Sequence, residues 1–382
     1  MADYCFINPV DVLYLRGNRL FDGAGAHGAA LMPPWPSLPA GAIRSRMLAD
    51  HQIDPATFKD TKPEGAIGEC LGTPNKPGDF RITNFCVASR ADASLEVFFL
   101  LPADLVAKSD GELAYLQPIA LHPALQTSYP LPFCPLLAAD TPSKPLGGQW
   151  LNHAGISAYL DGAPLSLAAH CKQQKELWKL DPRLGIALDG QRRAAAEGQI
   201  YTAETVAMAK DCGFLVGVDG ATGLLPAAGL VRLGGDGRGA EIIPCTFAMP
   251  EPDWRRIAEE KRFRLLLTTP GLFAEGWQLP GLTQSDGRWA WGGEGFSASL
   301  KAACVTRGEV VSGWDIAHYR PKEALRVAPT GSVYFFDEFS GDIAALKALT
   351  EQGLWPLVEN GDQSRQAEGF NNILIAAWPR HD

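Results

Sequence analysis

The chain has 382 residues, 46% of them hydrophobic and 9% aromatic, enough apolar side chain for two to three domains or one large two-lobed body. Its net charge of −9 excludes a surface coated in basic residues, although a local basic groove stays compatible with it, because binding answers to the local field. No apolar run reaches the ~20 residues of a membrane span, and Met1–Tyr4 form no charged-then-apolar leader, so the expectation is a cytoplasmic protein with no membrane partner.

Tyr4–Ile7 and Val10–Leu15 predict a first strand, interrupted at Asn8-Pro9. Gly23, Gly25 and Gly28 then match the G-x-G-x-x-G spacing of a dinucleotide-binding turn. The context rejects that reading: the strand ends well before Gly23, and Pro33, Pro34 and Pro36 forbid a helix where the motif requires one. These glycines read instead as a loop before a helix. Ser37 caps that helix, which runs to about Asp50 with Pro39 tolerated in its first turn. Ala40, Ile43, Met47 and Leu48 make its apolar face, with Arg44 in the middle and Arg46 toward the edge. An arginine in an apolar stripe must snorkel out, pair with a carboxylate or meet an anion. Residues 51–79 read as loop. Phe80–Ser89 and Ser94–Leu101 read as strands joined by a turn, and Glu112–Leu121 as a third. The proline-rich stretch 122–150 is an irregular connection. Pro164–Leu180 has helical spacing, and the domain boundary is placed after it, giving units 1–180 and 181–382.

The second half repeats the style. Strands are predicted at Leu184–Leu188, Ile200–Met208, Gly213–Val218, Gly229–Leu233 and Ala240–Cys245. Arg192 and Arg193 sit in the turn between the first two, and Tyr201 follows on a strand, placed to stack on a base or to pack. Gly234, Gly235, Gly237 and Gly239 crowd a hairpin that also carries Arg232 and Arg238. A two-residue turn needs one or two glycines, so the surplus marks either tight packing or a ligand close to the backbone. Glu251–Lys261 reads as a helix, Arg262–Thr268, Ser297–Val305 and Ser332–Phe336 as strands, Asp342–Gln352 as a helix and Ile373–Trp378 as a last strand. Gly361, Arg365 and Gly369 form a loop before it. Strands with about two helices in each half predict an α+β fold of two ferredoxin-like (RRM-like) domains with antiparallel sheets and long loop insertions.

No residue set announces catalysis. The eight cysteines form no C-x-x-C pair, and Cys5, Cys86, Cys245 and Cys304 fall in apolar runs as small hydrophobes. No H-E-x-x-H, P-loop or G-x-S-x-G motif is present, so neither metal nor cofactor is expected. Three glycine–arginine segments without a nucleophile suit a phosphate backbone better than a small-molecule reaction.

Several stretches, in order, carry a resemblance: "PPWPSLPAGAIRSRML", "LWKLDPRLGIALD", "GLVRLGGDGRGAE", "LLLTTPGLFAEGW" and "VVSGWDIAHYRPKEALRVAPTGSVYFF". The chain resembles the family of third subunits of the Cmr effector complex of type III-B CRISPR systems, in the RAMP superfamily of CRISPR RNA-binding proteins. The resemblance implies two ferredoxin-like domains with facing sheets and a non-catalytic subunit that grips the five-prime handle of the CRISPR RNA. Its implied partners are that RNA, the large cyclase-like subunit, the adjacent backbone RAMP subunit and, indirectly, target RNA. Carried over by position, Arg44, the Gly234–Arg238 hairpin and the Gly361–Gly369 loop become RNA-contact candidates. The last loop departs from the family's glycine-dense pattern, thinning to "GDQSRQAEGFNN". The rival expectation is a RAMP-type endoribonuclease that processes precursor RNA, for which His27 is the one candidate base near a predicted site. A scaffold that touches only protein is a third.

Overall fold

The computed structural model describes residues 2–17, 27–92, 94–122, 124, 127–138, 144–188, 195–315 and 318–380. Gly23, Gly25, Arg192 and Arg193 lie outside the described residues. The first half contains β1 (Asp3–Pro9), α1 (Ser37–Asp50), β2 (Arg81–Ala91), β3 (Ser94–Leu100), β4 (Gln149–Leu151), α2 (His153–Leu160), β5 (Cys171–Gln173), β6 (Trp178–Leu188), β7 (Ala195–Met208), β8 (Cys212–Asp219), β9 (Gly229–Arg232) and β10 (Gly239–Cys245). Its main sheet has the order β5-β4-β3-β2-β8-β1-β10-β9 and is antiparallel throughout. The second half contains α3 (Trp254–Glu260), β11 (Phe263–Leu267), β12 (Leu282–Ser285), β13 (Arg288–Gly293), β14 (Phe296–Cys304), β15 (Glu309–Val311), β16 (Trp314–Asp315), β17 (Arg320–Pro321), β18 (Leu325–Val327), β19 (Val333–Gly341), α4 (Ile343–Gln352), α5 (Gln363–Ala367) and β20 (Ile373–Ala376). Its sheet order is β12-β13-β14-β19-β11-β20, again antiparallel. The α+β class expected from the sequence is therefore the class observed.

The two sheets share a core. Phe6, Cys86 and Leu215 of the first meet Leu266, Ala302, Val333 and Phe335 of the second. On its other face the first sheet packs Ile7, Phe214 and Val216 against Ile43 and Met47 of α1, and the second packs Leu265 and Tyr334 against Leu346 of α4. Strands covered on both faces must be apolar at successive positions. That is why β8 (Cys-Gly-Phe-Leu-Val-Gly-Val-Asp) and β11 (Phe-Arg-Leu-Leu-Leu) read as runs and not as alternations.

The one charge inside such a run is Arg264. Arg264 and Asp104 are both 0% exposed, with Nη1 donating to Asp104 Oδ2 at 2.5 Å. Nε and Nη2 donate to the carbonyls of Ala377 and Tyr159, and the Tyr159 hydroxyl donates to Asp104 Oδ1. Asp104 follows β3 and Tyr159 lies on α2, so this closed network staples the first half to β11 of the second.

Several sequence expectations meet corrections. The division after residue 180 falls inside β6, and β8, β9 and β10 belong to the sheet of β1; the chain passes between sheets in the 246–262 connection. Pro164–Leu180 is not one helix. Single turns at Leu167–His170 and Gln174–Leu177 flank β5, because pairing with the β4 edge overrides the helical spacing. Residues 51–79 hold the short helices Pro55–Phe58 and Gly65–Leu71, too brief to show a period. The helix α1 starts at Ser37, but Pro36 occupies the cap position and no side chain caps it.

Candidate nucleic-acid interface

Arg44, Arg46 and Arg232 lie on two adjoining elements, apart from Arg365 in the second half. The helix α1 packs beside β9, the edge strand of the first sheet. Arg46 ties the two together: Nε meets Asp50 Oδ1 at 2.6 Å and Nη1 donates to the Leu230 carbonyl at 2.8 Å. That bond satisfies part of the open strand edge, so Arg46 is largely committed to structure. Arg232, at the end of β9, is exposed.

The β9–β10 turn shows where its glycines go. Gly234 has φ +80°, and a Cβ there would sit 2.7 Å from the Tyr14 carbonyl oxygen. Gly235 donates its N–H to that same oxygen at 2.8 Å. Of the two readings left open, close backbone packing is the one the geometry accounts for at Gly234 and Gly235. The strand-like segment that presses on the turn carries Asp11 and Tyr14, both missed in the sequence. Arg238 Nη1 meets Asp11 Oδ2 at 2.6 Å, its guanidinium carbon lies 5.1 Å from the Tyr14 ring centroid, and its buried Nε has no partner. Leu13 also bridges to Val206 of β7, joining this turn to the β6–β7 hairpin. On that hairpin Tyr201 lies over Gly185, where a Cβ would come within 2.2 Å of its ring. His27-Gly28 pairs in parallel with Thr202-Ala203 of β7.

Arg44 is the exception to this partnering. Its guanidinium carbon stacks 4.8 Å from the Phe80 ring centroid. Nε and Nη2 are shielded from solvent and have no hydrogen-bond partner. Burial pulls its pKa below the usual arginine value, and the Glu368 carboxylate pulls it back up. Glu368 in turn carries two closer cations: Arg365 Nη1 at 3.1 Å and the Lys322 ammonium. Arg44 on α1 of the first half thus feels the same carboxylate that pairs with Arg365 and Lys322 of the second.

Arg365 does not face outward. It is 3% exposed, and besides Glu368 it donates to the carbonyls of Ser312 at 3.2 Å and Glu323 at 3.4 Å. The rest of its loop is packed as well. Gly361 lies against the Trp355 ring, and Gly369, at φ +87°, brings the backbone so close to β2 that a Cβ would sit 2.7 Å from Ile82 Cβ. The last glycine loop is therefore a junction between the two halves. Lys322, Glu368 and Asp11 were not found from sequence because their role depends on contacts between distant segments.

Comparison with known proteins follows this geometry. A family model described as CRISPR-associated protein (Cas_Cmr3) matches residues 5–378. The chain belongs to this family. No curated protein matches this Cmr3-type chain. Among solved structures, a chain of a type III-B Cmr-beta complex bound to cognate target RNA, determined by cryo-EM, is 14% identical with a TM-score of 0.50, covering 97% of this chain and 96% of that one. A second Cmr-beta structure, with cognate target RNA and AMPPnP, is 15% identical with a TM-score of 0.45, covering 96% and 92%. At 14% identity the likeness to the first of these is one of fold. Among the described residues, no helix is long and apolar enough to cross a membrane.

Proposed function

We propose that the chain is a non-catalytic RNA-binding and assembly subunit of a type III-B CRISPR effector. In this reading it grips the five-prime handle of the CRISPR RNA beside the large cyclase-like subunit and the adjacent backbone subunit. The observation that carries it is the Arg44 guanidinium. A charged group with two shielded, unpartnered N–H sites is costly unless an acceptor arrives. A phosphate, able to take two parallel N–H bonds, completes it. The local excess of cations around Glu368 favours such an anion despite the chain's net charge. Arg232 and Arg238 extend the positive flank toward the β6–β7 hairpin.

The strand orders support a ferredoxin-like ancestry for both halves. Taken in chain order, β1, β2, β8 and β10 lie as 2-3-1-4 in their sheet, and so do β11, β14, β19 and β20. That is the order of the β-α-β-β-α-β unit. Each half keeps a different helix: α1 follows the first strand in one, α4 the third strand in the other. We accordingly place the units at 3–245 and 263–376.

The test is guide-RNA retention by the assembled complex. Arg44→Ala should lower it, Arg44→Lys should restore it only in part because an ammonium cannot make the bidentate contact, and the loss should shrink the salt slope by roughly 0.7 per phosphate contact removed. Retention and slope unchanged in Arg44→Ala would refute the assignment. Metal-independent cleavage of repeat RNA by the purified protein, abolished in His27→Ala, would instead establish the endoribonuclease.

A further inference from the structure

Residues 305–332, inserted between β14 and β19, form a finger in which the sequence reading predicted no element. β15 pairs with β18 (Val311 opposite Leu325), and β16 pairs with β17 (Trp314 opposite Pro321). Its root is built as core: Val311 and Val327 pack on Trp355 and Phe370 of the C-terminal junction. Arg365 clamps both sides of the root at once, through the Ser312 and Glu323 carbonyls, while Lys322 pairs with Glu368. A buried arginine spent on holding a hairpin fixes that hairpin's direction.

The far end is built the opposite way. Trp314 is 57% exposed and Tyr319 81% exposed. Tyr319 has φ +51°, a left-handed conformation that disfavours a bulky residue. Next to it His318 Nδ1 lies 2.8 Å from Asp315 Oδ2, and the His318 N–H donates to Asp315 Oδ1 at 3.2 Å. Large aromatic side chains held in water beyond a clamped root contribute little to folding, and the left-handed backbone at Tyr319 is the kind of local strain that collects at contact sites. Arg307, Arg320 and Arg326 are exposed along the finger. The finger also shares its insertion point with the β6–β7 hairpin: each lies between the second and third strands of its unit's 2-3-1-4 order.

We propose that Trp314 and Tyr319 form a stacking platform for unpaired bases of an RNA strand. The proposal rests on the RNA-binding reading above and adds to it a second contact surface, joined to Arg44 through Arg365 and Glu368. Exposed aromatics interleaved with arginines are what a single strand uses, because every base has a face to stack and every linkage a charge to neutralise. A protein partner of standard size would need a broad apolar core around the aromatics. Here, among the described residues, the exposed neighbours include Arg307, Glu309, Arg320, Glu323 and Arg326, and Val310 is the one large aliphatic.

The experiment uses the assembled effector and a guide RNA carrying 4-thiouridine, read by mass spectrometry of crosslinked peptides and by guide-RNA dissociation. A crosslink to the 307–327 peptide and a loss of affinity of about 10–100-fold in Trp314→Ala/Tyr319→Ala, largely recovered in Trp314→Phe/Tyr319→Phe, are expected. Both side chains are exposed, so the melting temperature should stay at the wild-type value. RNA lost in Arg44→Ala but retained in the finger variant would overturn the platform and leave the RNA-binding reading standing. RNA retained by both variants, with no finger crosslink, would remove both. Loss of a neighbouring subunit with RNA affinity unchanged would make the finger a protein contact and overturn the platform.

Discussion

Arginines of this chain end in three different physical states. Arg264 is buried with every donor group engaged, Arg365 is buried to clamp backbone, and Arg44 is shielded with donors left over. Removing one member of a buried pair strands the other charge, so Arg264→Met should destabilise the protein by about 3–5 kcal/mol. The double variant Arg264→Met/Asp104→Leu should lose much less, since no unpaired charge remains. Urea unfolding of the two singles and the double closes that cycle; equal losses in single and double would deny the coupling. The unusual position of Arg44 was legible because it interrupts an apolar helical stripe. The role of Arg365 was not, since a glycine-flanked arginine reads the same whether its acceptors are phosphates or carbonyls brought from residues 312 and 323. Cysteines behaved as their apolar settings suggested at Cys5, Cys86 and Cys304, which are buried, whereas Cys245 is only half-buried. Burial pushes the Cys5 thiol up to about 12. Cys5 should therefore resist thiol reagents at pH 8 until the protein unfolds, and rapid labelling of the native chain at Cys5 would contradict its place in the core.

Among elements, long ones were easier to read than short ones. Predicted strands such as Gly213–Val218 and Ala240–Cys245 match β8 and β10 within a residue or so, β8 as an apolar run buried on both faces and β10 with buried Ala240 and Ile242 alternating with exposed Glu241. Short paired edges went unread: β5 forms only by pairing with β4 across α2, whereas the β12–β13 hairpin carries a local signal that the reading did not use, the Asp286-Gly287 turn between Ser285 and Arg288. The C-terminal junction shows how such long-range demands act on single positions. Gly369 combines a left-handed φ of +87° with Ile82 Cβ at 2.7 Å from where its own Cβ would be. Gly369→Ala should cost about 1–3 kcal/mol from backbone strain, with more from the clash against β2. A melting temperature equal to wild type would show that α5 and β20 can shift away from β2 freely. Because α5 also seats the finger through Arg365, the same variant should loosen the 309–327 backbone, visible as faster amide exchange there than in β8.

For the whole molecule, the facing sheets decide how the halves behave. Each presents an apolar face to the other, with Phe6 and Leu215 on one side and Leu266 and Phe335 on the other. The Asp104–Arg264 staple crosses the same boundary, and the Asn372 side chain donates to the Ile82 carbonyl near its rim. Neither half can be exposed alone without uncovering one of these faces, and an exposed apolar face of that kind drives association. The chain should therefore unfold as one cooperative unit although it holds two sheets, each with its own outer helix. Calorimetry is the check: a single transition whose calorimetric and van't Hoff enthalpies agree. Residues 246–382 expressed without the rest should aggregate or lose near-ultraviolet dichroism. Two resolved transitions, or a soluble second half with native dichroism, would mean that the inter-sheet core contributes little. Cooperativity also bears on RNA binding, since Arg44 belongs to one half and Arg365, Lys322 and Glu368 to the other. A ligand held across that junction should raise the temperature of the single transition without splitting it, by an amount that grows with the logarithm of free RNA concentration above its dissociation constant.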